Sequence, residues 1–414
     1  SRDRMGEKPL YYGWQGDTFL FGSELKALRA HPAFLSEIDH TVLPLYLQNG
    51  YIPSPWSIWG GSRKLIPGTV LRVNTLSSVK MTEPAPYWSL AETVAVGKTY
   101  PFTGSDEEAI TMLEEQLRET VAGQMVADVP LGAFLSGGID SSTVVALMQA
   151  QSSRPVKTFT IGFTEDSYNE AEYARAVAMH LGTDHTELYV LPEQARSIIP
   201  NLPLIYDEPF GDPSAIPTFF VSQLARQHVT VSLSGDGGDE LLAGYPHYAT
   251  SASIWNSTRR IPSPLRAILG TGLENFMVDL QMPRLESNFW IRIGRKVVSS
   301  LNRLRSLGHQ LHSQDIAEFF NYRRAIWRKT QRLICNPLPQ RNCGMDGPLM
   351  AVNTKDTVSQ MMLLEASSYL PDDIMVKVDR ASMAVSLESR APLLDHRLVE
   401  LAWRLPITCK LRNG

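Results

Sequence analysis

The chain has 414 residues, 43% of them hydrophobic and 20% charged, which is enough apolar content to bury two medium-sized domain cores. It has no apolar run long enough to span a bilayer and no leader pattern in its opening SRDRMGEKPL, so a cytoplasmic protein is expected rather than a membrane or secreted one. A formal net charge of −4 gives no reason to expect nucleic acid or an anionic membrane as partner, and Cys335, Cys343 and Cys409 lack the spacing of a disulfide framework or a zinc site.

In chain order, TFLFGSELKALRAHPAF predicts a strand ending at Gly22 and then a helix, and a second helix is expected around 42–48. GTVLRVNTLSSVKM alternates on both sides of Asn-Thr-Leu-Ser-Ser and predicts a β-hairpin. TEPAPYWSL and the weakly periodic stretch up to Ser105 predict a linker, which sets domains at 1–95 and 105–414. The opening residues follow no strand or helix and the closing LPITCKLRNG completes none, so truncation at both ends is expected. Trp56, Trp59 and Trp88 are assigned to core or inter-domain packing.

SDEEAITMLEEQLRETVAGQM places Ser105 at an N-cap, with acids in the first helical turn. Short apolar runs then alternate with helical patterns: PLGAFLSGG and STVVALMQAQ, VKTFTIGF and EAEYARAVAMHLG, HTELYVL, and VTVSLSGDGGDELLAGY. That alternation predicts an α/β domain with a parallel sheet covered on both faces. From 246 to 346 helices and loops are expected, and 355–405 is expected to be helical.

The chemistry concentrates in two turns. Ser136-Gly137-Gly138-Ile139-Asp140-Ser141-Ser142 lies between a buried strand and a helix. Its glycines permit close approach, the helix start offers N–H donors to a phosphate, and Asp140 is a hard oxygen ligand suited to Mg²⁺. The bland alternative is a plain turn with Ser141 as a helix cap. Against it stands Ser234-Gly235-Asp236-Gly237-Gly238-Asp239-Glu240, again strand, glycine turn and helix, whose clustered acids need solvent or a cation. Ligands of open parallel sheets bind at the carboxyl ends of the strands, so both turns can face one nucleotide.

Ser136 to Ser142 resembles the pyrophosphate-binding loop of the N-type ATP pyrophosphatases. SGDGGDE and ASMAVSLESRAPLLD narrow the resemblance to the glutamine-dependent asparagine synthetase branch, and SRDRMGEKPLYYG with FGSELKAL resembles the later part of that family's glutaminase domain. The resemblance implies a partial N-terminal-nucleophile glutaminase domain (α+β), followed by a parallel-sheet ATP-pyrophosphatase domain of the adenine nucleotide alpha hydrolase type. It implies that Leu135, Ile161, Ser234 and Gly235 contact the adenosine of ATP. Ser136, Gly137, Gly138, Ser141 and Ser142 would hold pyrophosphate, and Asp140 and Asp239 would bind Mg²⁺. Asp236 stands where many members have Glu, at a position tied to acyl-adenylate formation.

The implied reaction adenylates aspartate and releases it as asparagine with ammonia drawn from glutamine, in a homodimer. The family's cysteine nucleophile and its late lysine find no counterpart here, and Lys410 is not taken for that lysine. Other members amidate sugar acids or close β-lactams, so Asp207, Glu208, Asp212 and Arg390 are acceptor-pocket candidates, with ordinary ion pairing as the alternative for Arg390. A tRNA-modifying enzyme would use the basic residues Arg292, Arg295, Lys296, Arg303, Arg305, Arg323, Arg324, Arg328, Lys329 and Arg332, which a solvated helix face also explains. A non-catalytic nucleotide binder would have no use for the acids at Asp140, Asp236, Asp239 and Glu240. His180 and His185 are assigned to surface or cap positions.

Overall fold

The computed structural model describes residues 1–74, 82–163, 169–275, 307–328, 330 and 356–412. These fall into two compact units. The first comprises 1–245, 330 and 362–412, and the second comprises the described residues of 246–328 with 356–361.

The first unit opens with a three-stranded antiparallel sheet. Strand β1 (Tyr11–Gln15) lies between β2 (Thr18–Gly22) and β3 (Ser62–Lys64), and helix α1 (Leu25–Arg29) closes a small core of Tyr11, Leu25 and Leu28. Helix α2 (Leu43–Asn49) stops at Gly50, whose φ of 83° is a left-handed C-cap that favours glycine. Strand β4 (Thr69–Val70) pairs antiparallel with β5 (Ala85–Pro86). The expected hairpin turn falls largely outside the described residues.

The stretch expected to be a linker contains helix α3 (Leu90–Thr99), capped by the Ser89 side chain accepting from the Glu92 N–H. Its buried face is made of small residues, Ala91, Val94 and Gly97, so its apolar periodicity is faint in the sequence. A Cβ on Gly97 would lie 2.4 Å from the Trp403 carbonyl oxygen, so the helix seats its glycine directly on a neighbouring backbone. Helix α4 (Asp106–Gln124) begins with a full capping box between Ser105 and Glu108.

The parallel sheet follows as expected: β6 (Leu131–Phe134), α5 (Ile139–Ala150), β7 (Lys157–Phe163), α6 (Ala171–Leu181), β8 (Asp184–Val190), and, after α7 (Pro192–Ser197), α8 (Leu202–Tyr206) and α9 (Ala215–Arg226), β9 (Val231–Leu233) and α10 (Gly238–Leu242). One face is packed by Leu117 and Val121 of α4, Val144 and Met148 of α5, and Ala174 and Ala178 of α6. Phe219, Phe220 and Leu224 of α9 belong to the other two clusters.

Two features depart from the helical expectation for 355–405. Residues Glu365–Ile374 form a π-helix with Pro371 inside it, continuing into α11 (Met375–Met383), which packs on α9. Glu388–Arg390 is a strand, β10, lying parallel to β9 and completing the order β10-β9-β6-β7-β8. Three residues with two charges carry no strand pattern, and backbone pairing with β9 is what defines them. Pro392–Leu394 then makes one 3₁₀ turn before α12 (His396–Arg404).

The second unit has helices over Pro246–Thr258, Ser263–Asn275 and Ile316–Arg324, with the rings of Trp255 and Phe319 5.2 Å apart. Among the described residues no helix is long and apolar enough to cross a membrane.

Candidate active site

β6 and β9 are hydrogen-bonded neighbours, pairing Leu131 with Val231 and Ala133 with Leu233, so the two glycine turns leave the carboxyl ends of adjacent strands side by side. The first turn is internally braced. The Ser141 hydroxyl lies 3.0 Å from the Ser136 hydroxyl, accepts from the Ser136 N–H at 3.2 Å and donates to the Gly138 carbonyl at 3.2 Å. Gly137 has φ 80°, and a Cβ there would meet the Tyr173–Ala174 backbone at 2.7 Å, so only glycine fits. The buried Ser142 hydroxyl has no hydrogen-bond partner among the described residues. Ser141 therefore shapes the loop, and Ser142 holds an unused donor beside it.

The second turn closes onto the first. A Cβ on Gly235 would lie 2.6 Å from the Ser141 nitrogen, and one on Gly238 would lie 2.4 Å from the Asp140 carboxylate. Leu394 packs under Gly237, whose φ is 96°. Burial, and then the nearby charges of Asp239 and Asp236, push the Asp140 carboxyl up to about 6. Glu240 is raised to about 7, chiefly by burial, although it accepts a 2.7 Å hydrogen bond from the Tyr245 hydroxyl. Tyr245 itself is raised by burial and by Glu240.

Leu135, Ser136 and Ile161 line one cleft of about 310 Å³, together with Phe134, Phe159 and Thr218. Ser234 and Gly235 do not line it. Ser234 directs its N–H to the Arg390 carbonyl at 2.9 Å, and Gly235 abuts the start of α5. A larger hollow of about 690 Å³ between α3, α4 and α12 contains Trp88 but none of the residues assigned to the nucleotide or acceptor site.

These features fit a magnesium-bound polyphosphate: an orphaned serine hydroxyl, glycine turns that admit a close ligand, and carboxylates that repel one another without a cation. Among the described residues no three His, Cys, Asp or Glu side chains sit closely enough to hold a metal alone. A Mg²⁺ ion here would draw part of its shell from phosphate oxygens, as that ion commonly does.

The acceptor candidates separate. Arg390 pairs with Glu388 at 2.7 Å and donates to the carbonyls of Gln124 and Val126 at 2.7 and 2.8 Å, tying down the end of α4. Glu208 is committed to Lys64 at 2.5 Å, in a pair buried on both sides. Asp207 is buried at φ 66°, with Lys26 3.6 Å away. Asp212 pairs with Lys377 of α11 at 2.9 Å and accepts from the N–H of Ser214, a residue that lines the cleft.

Lys377 was not singled out in the sequence. Its signal there is a lone charge inside the apolar run IMVKV, a pattern that implies a buried, partnered lysine. His185 accepts or donates at 2.8 Å to the Thr158 hydroxyl, and His180 is exposed near the end of α6. Trp56 and Trp59 pack in a core cluster, while Trp88 donates to Glu400 at 3.2 Å. Of the basic run, Arg323, Arg324 and Arg328 lie over the rings of Phe319, Phe320 and Tyr322, and the other seven fall outside the described residues, as do Cys335 and Cys343.

The asparagine synthase family model matches residues 112–414, and the glutamine amidotransferase domain model matches residues 1–88. The chain is 29% identical over 415 residues to asparagine synthetase [glutamine-hydrolyzing] 1 of Bacillus subtilis (strain 168), covering 100% of this chain and 60% of that protein. It is 38% identical over 273 residues to a Methanocaldococcus jannaschii protein provisionally named as a second asparagine synthetase, covering 65% of this chain and 50% of that one. The chain thus spans 50–60% of the length of these relatives.

Proposed function

The chain belongs to the asparagine synthase family, and from that premise we propose that its two glycine turns bind Mg·ATP and activate a carboxylate, that of aspartate, for conversion to an amide. The observation that carries this reading is the convergence of the turns after β6 and β9 on Asp140, beside a cleft lined by Leu135 and Ile161. We extend it to residues 1–95 as part of a glutaminase domain supplying ammonia from glutamine and to 105–414 as the synthetase domain, in a cytoplasmic homodimer.

On this reading adenosine occupies the cleft against Leu135 and Ile161 and extends beyond it to Ser234 and Gly235, at the end of the neighbouring strand. Phosphates rest on the N–H groups of the Gly137–Gly138 turn and the start of α5, where the helix dipole favours negative charge. A carboxylate oxygen of the acceptor attacks the α-phosphorus, the new O–P bond forms and pyrophosphate departs. Ammonia then attacks the acyl carbon, the C–N bond forms, a proton is lost and AMP leaves.

Ser142, through its unused hydroxyl, donates to the departing pyrophosphate. Asp140 and Asp239 would hold Mg²⁺, which when bound neutralises charge gathering on the phosphates. Asp236, on the same turn, would act in forming the acyl-adenylate. The chemistry rests on positioning and electrostatics and needs no protein nucleophile.

The test is pyrophosphate release from Mg·ATP by the full-length protein, with aspartate and ammonium supplied. Aspartate-dependent release that falls by about 100-fold or more in Asp140→Ala supports the reading. ATP binding without aspartate-dependent release sinks the choice of acceptor.

A further inference from the structure

Lys377 sits on α11 with its side chain about nine-tenths buried, and the Asp212 carboxylate at 2.9 Å is its only hydrogen-bond partner among the described residues. Asp212 is itself fixed, because its other oxygen accepts from the Ser214 N–H at 2.6 Å, and Ser214 lines the same cleft as Leu135, Ser136 and Ile161. The ammonium also interacts with Asp236 of the acidic turn and with Asp373, four residues back on its own helical run. Through these partners it is linked both to a residue of the cleft and to the acidic turn.

An ammonium has three hydrogens to donate, and Asp212 takes one. Leaving buried donors of a charged group without acceptors is costly, so a site of this kind calls for an oxygen from outside the chain. The neighbouring acids cannot serve as that ligand's partners, since they repel anions, whereas the lysine attracts one. The π-helix ahead of α11 is a rare element that recurs near functional sites, and it delivers Asp373 and Lys377 to this position.

We propose that Lys377 anchors an oxyanion of the reacting substrates, the carboxylate that is to be activated, and that Asp212 is its positioning residue. The inference rests on the functional reading above and adds to it the residue that receives the acceptor. The phosphates already have the loop N–H groups and Ser142, which leaves the carboxylate as the anion without a counter-charge. A phosphate oxygen of ATP is the other source of the same chemistry.

The experiment compares wild type, Lys377→Met, Lys377→Arg and Asp212→Asn by equilibrium binding of Mg·ATP and of aspartate and by pyrophosphate release. In Lys377→Met we expect the aspartate Kd and KM to rise about tenfold or more, with ATP affinity within about twofold and partial recovery in Lys377→Arg. A fall in ATP affinity with unchanged aspartate constants keeps the oxyanion role but moves it to the nucleotide.

Unchanged constants for both ligands in Lys377→Met overturn the proposal. Should that variant melt below the assay temperature, Asp212→Asn decides, with a shift of several-fold in either ligand's constants supporting the role and none refuting it. A wild-type protein that binds both ligands but releases no pyrophosphate refutes the reaction and leaves the role of Lys377 to be read from binding. One that binds neither refutes both.

Discussion

The carboxylate of Asp140 lies against the α-carbon of Gly238, so closely that a methyl group on that carbon would sit 2.4 Å from it. The two residues come from different glycine turns, and their contact locks the turns together. Gly238→Ala must therefore push Asp140 out of place. We expect a stability loss of about 1–3 kcal/mol, read by chemical denaturation, together with loss of Mg·ATP-dependent pyrophosphate release. Retention of full activity would show that Asp140 need not sit there.

The pH dependence of stability follows from the same carboxyl. Asp140 is raised from 3.8 to about 6 and Glu240 from 4.5 to about 7, so between roughly pH 4 and 7 the folded chain binds more protons than the unfolded one. Stability from these groups is greatest below that window and is lost as pH rises through it. Without ligands, Asp140→Asn should raise the melting temperature at pH 8 and leave it nearly unchanged at pH 4, as measured by calorimetry. Mg·ATP should bind more weakly as pH falls below about 6, where Asp140 takes up a proton.

The paired serines of the loop should behave oppositely. Ser142→Ala removes a buried hydroxyl that has no partner among the described residues, so stability should hold or rise by up to about 1 kcal/mol while ATP affinity falls. Ser141→Ala removes three hydrogen bonds within the loop and should lower stability and ATP affinity together. Thermal melts with and without Mg·ATP separate the two patterns.

Away from the site, Glu208 and Lys64 form an ion pair buried on both sides, and Glu208 also accepts from the Tyr11 hydroxyl and the Ile58 N–H. Removing one partner strands the other charge. Glu208→Ala should cost about 3–5 kcal/mol in urea unfolding, and the double replacement Lys64→Met with Glu208→Leu should recover much of that.

The strands of the parallel sheet were legible because buried strands read as short apolar runs, each punctuated by a helix pattern. Both phosphate-type turns were visible for the same reason, since glycines and acids stand out at the end of VTVSL and GAFL. What the sequence did not convey depends on partners distant in the chain. β10 is Glu-Ser-Arg and exists through its pairing with β9, and α3 buries Ala91, Val94 and Gly97 on a surface that only the folded α12 provides. Lys377 acquires its meaning from Asp212 and Asp236, neither of which lies near it in sequence. For Arg390 the sequence left a ligand contact and an ordinary ion pair equally open, and its partners, Glu388 and two carbonyls at the end of α4, come from the fold.

The placement of β10 has a consequence for how the protein is made. β9 is synthesised with one partner, β6, already available, while its other neighbour arrives only after the whole of the second unit has been translated. During that interval β9 is an unpaired edge carrying a fresh acidic turn, and such edges recruit foreign strands. A nascent chain of this protein should thus depend on holdase protection while residues 246–361 are being translated, and a ribosome stalled there should yield aggregates that a completed chain does not.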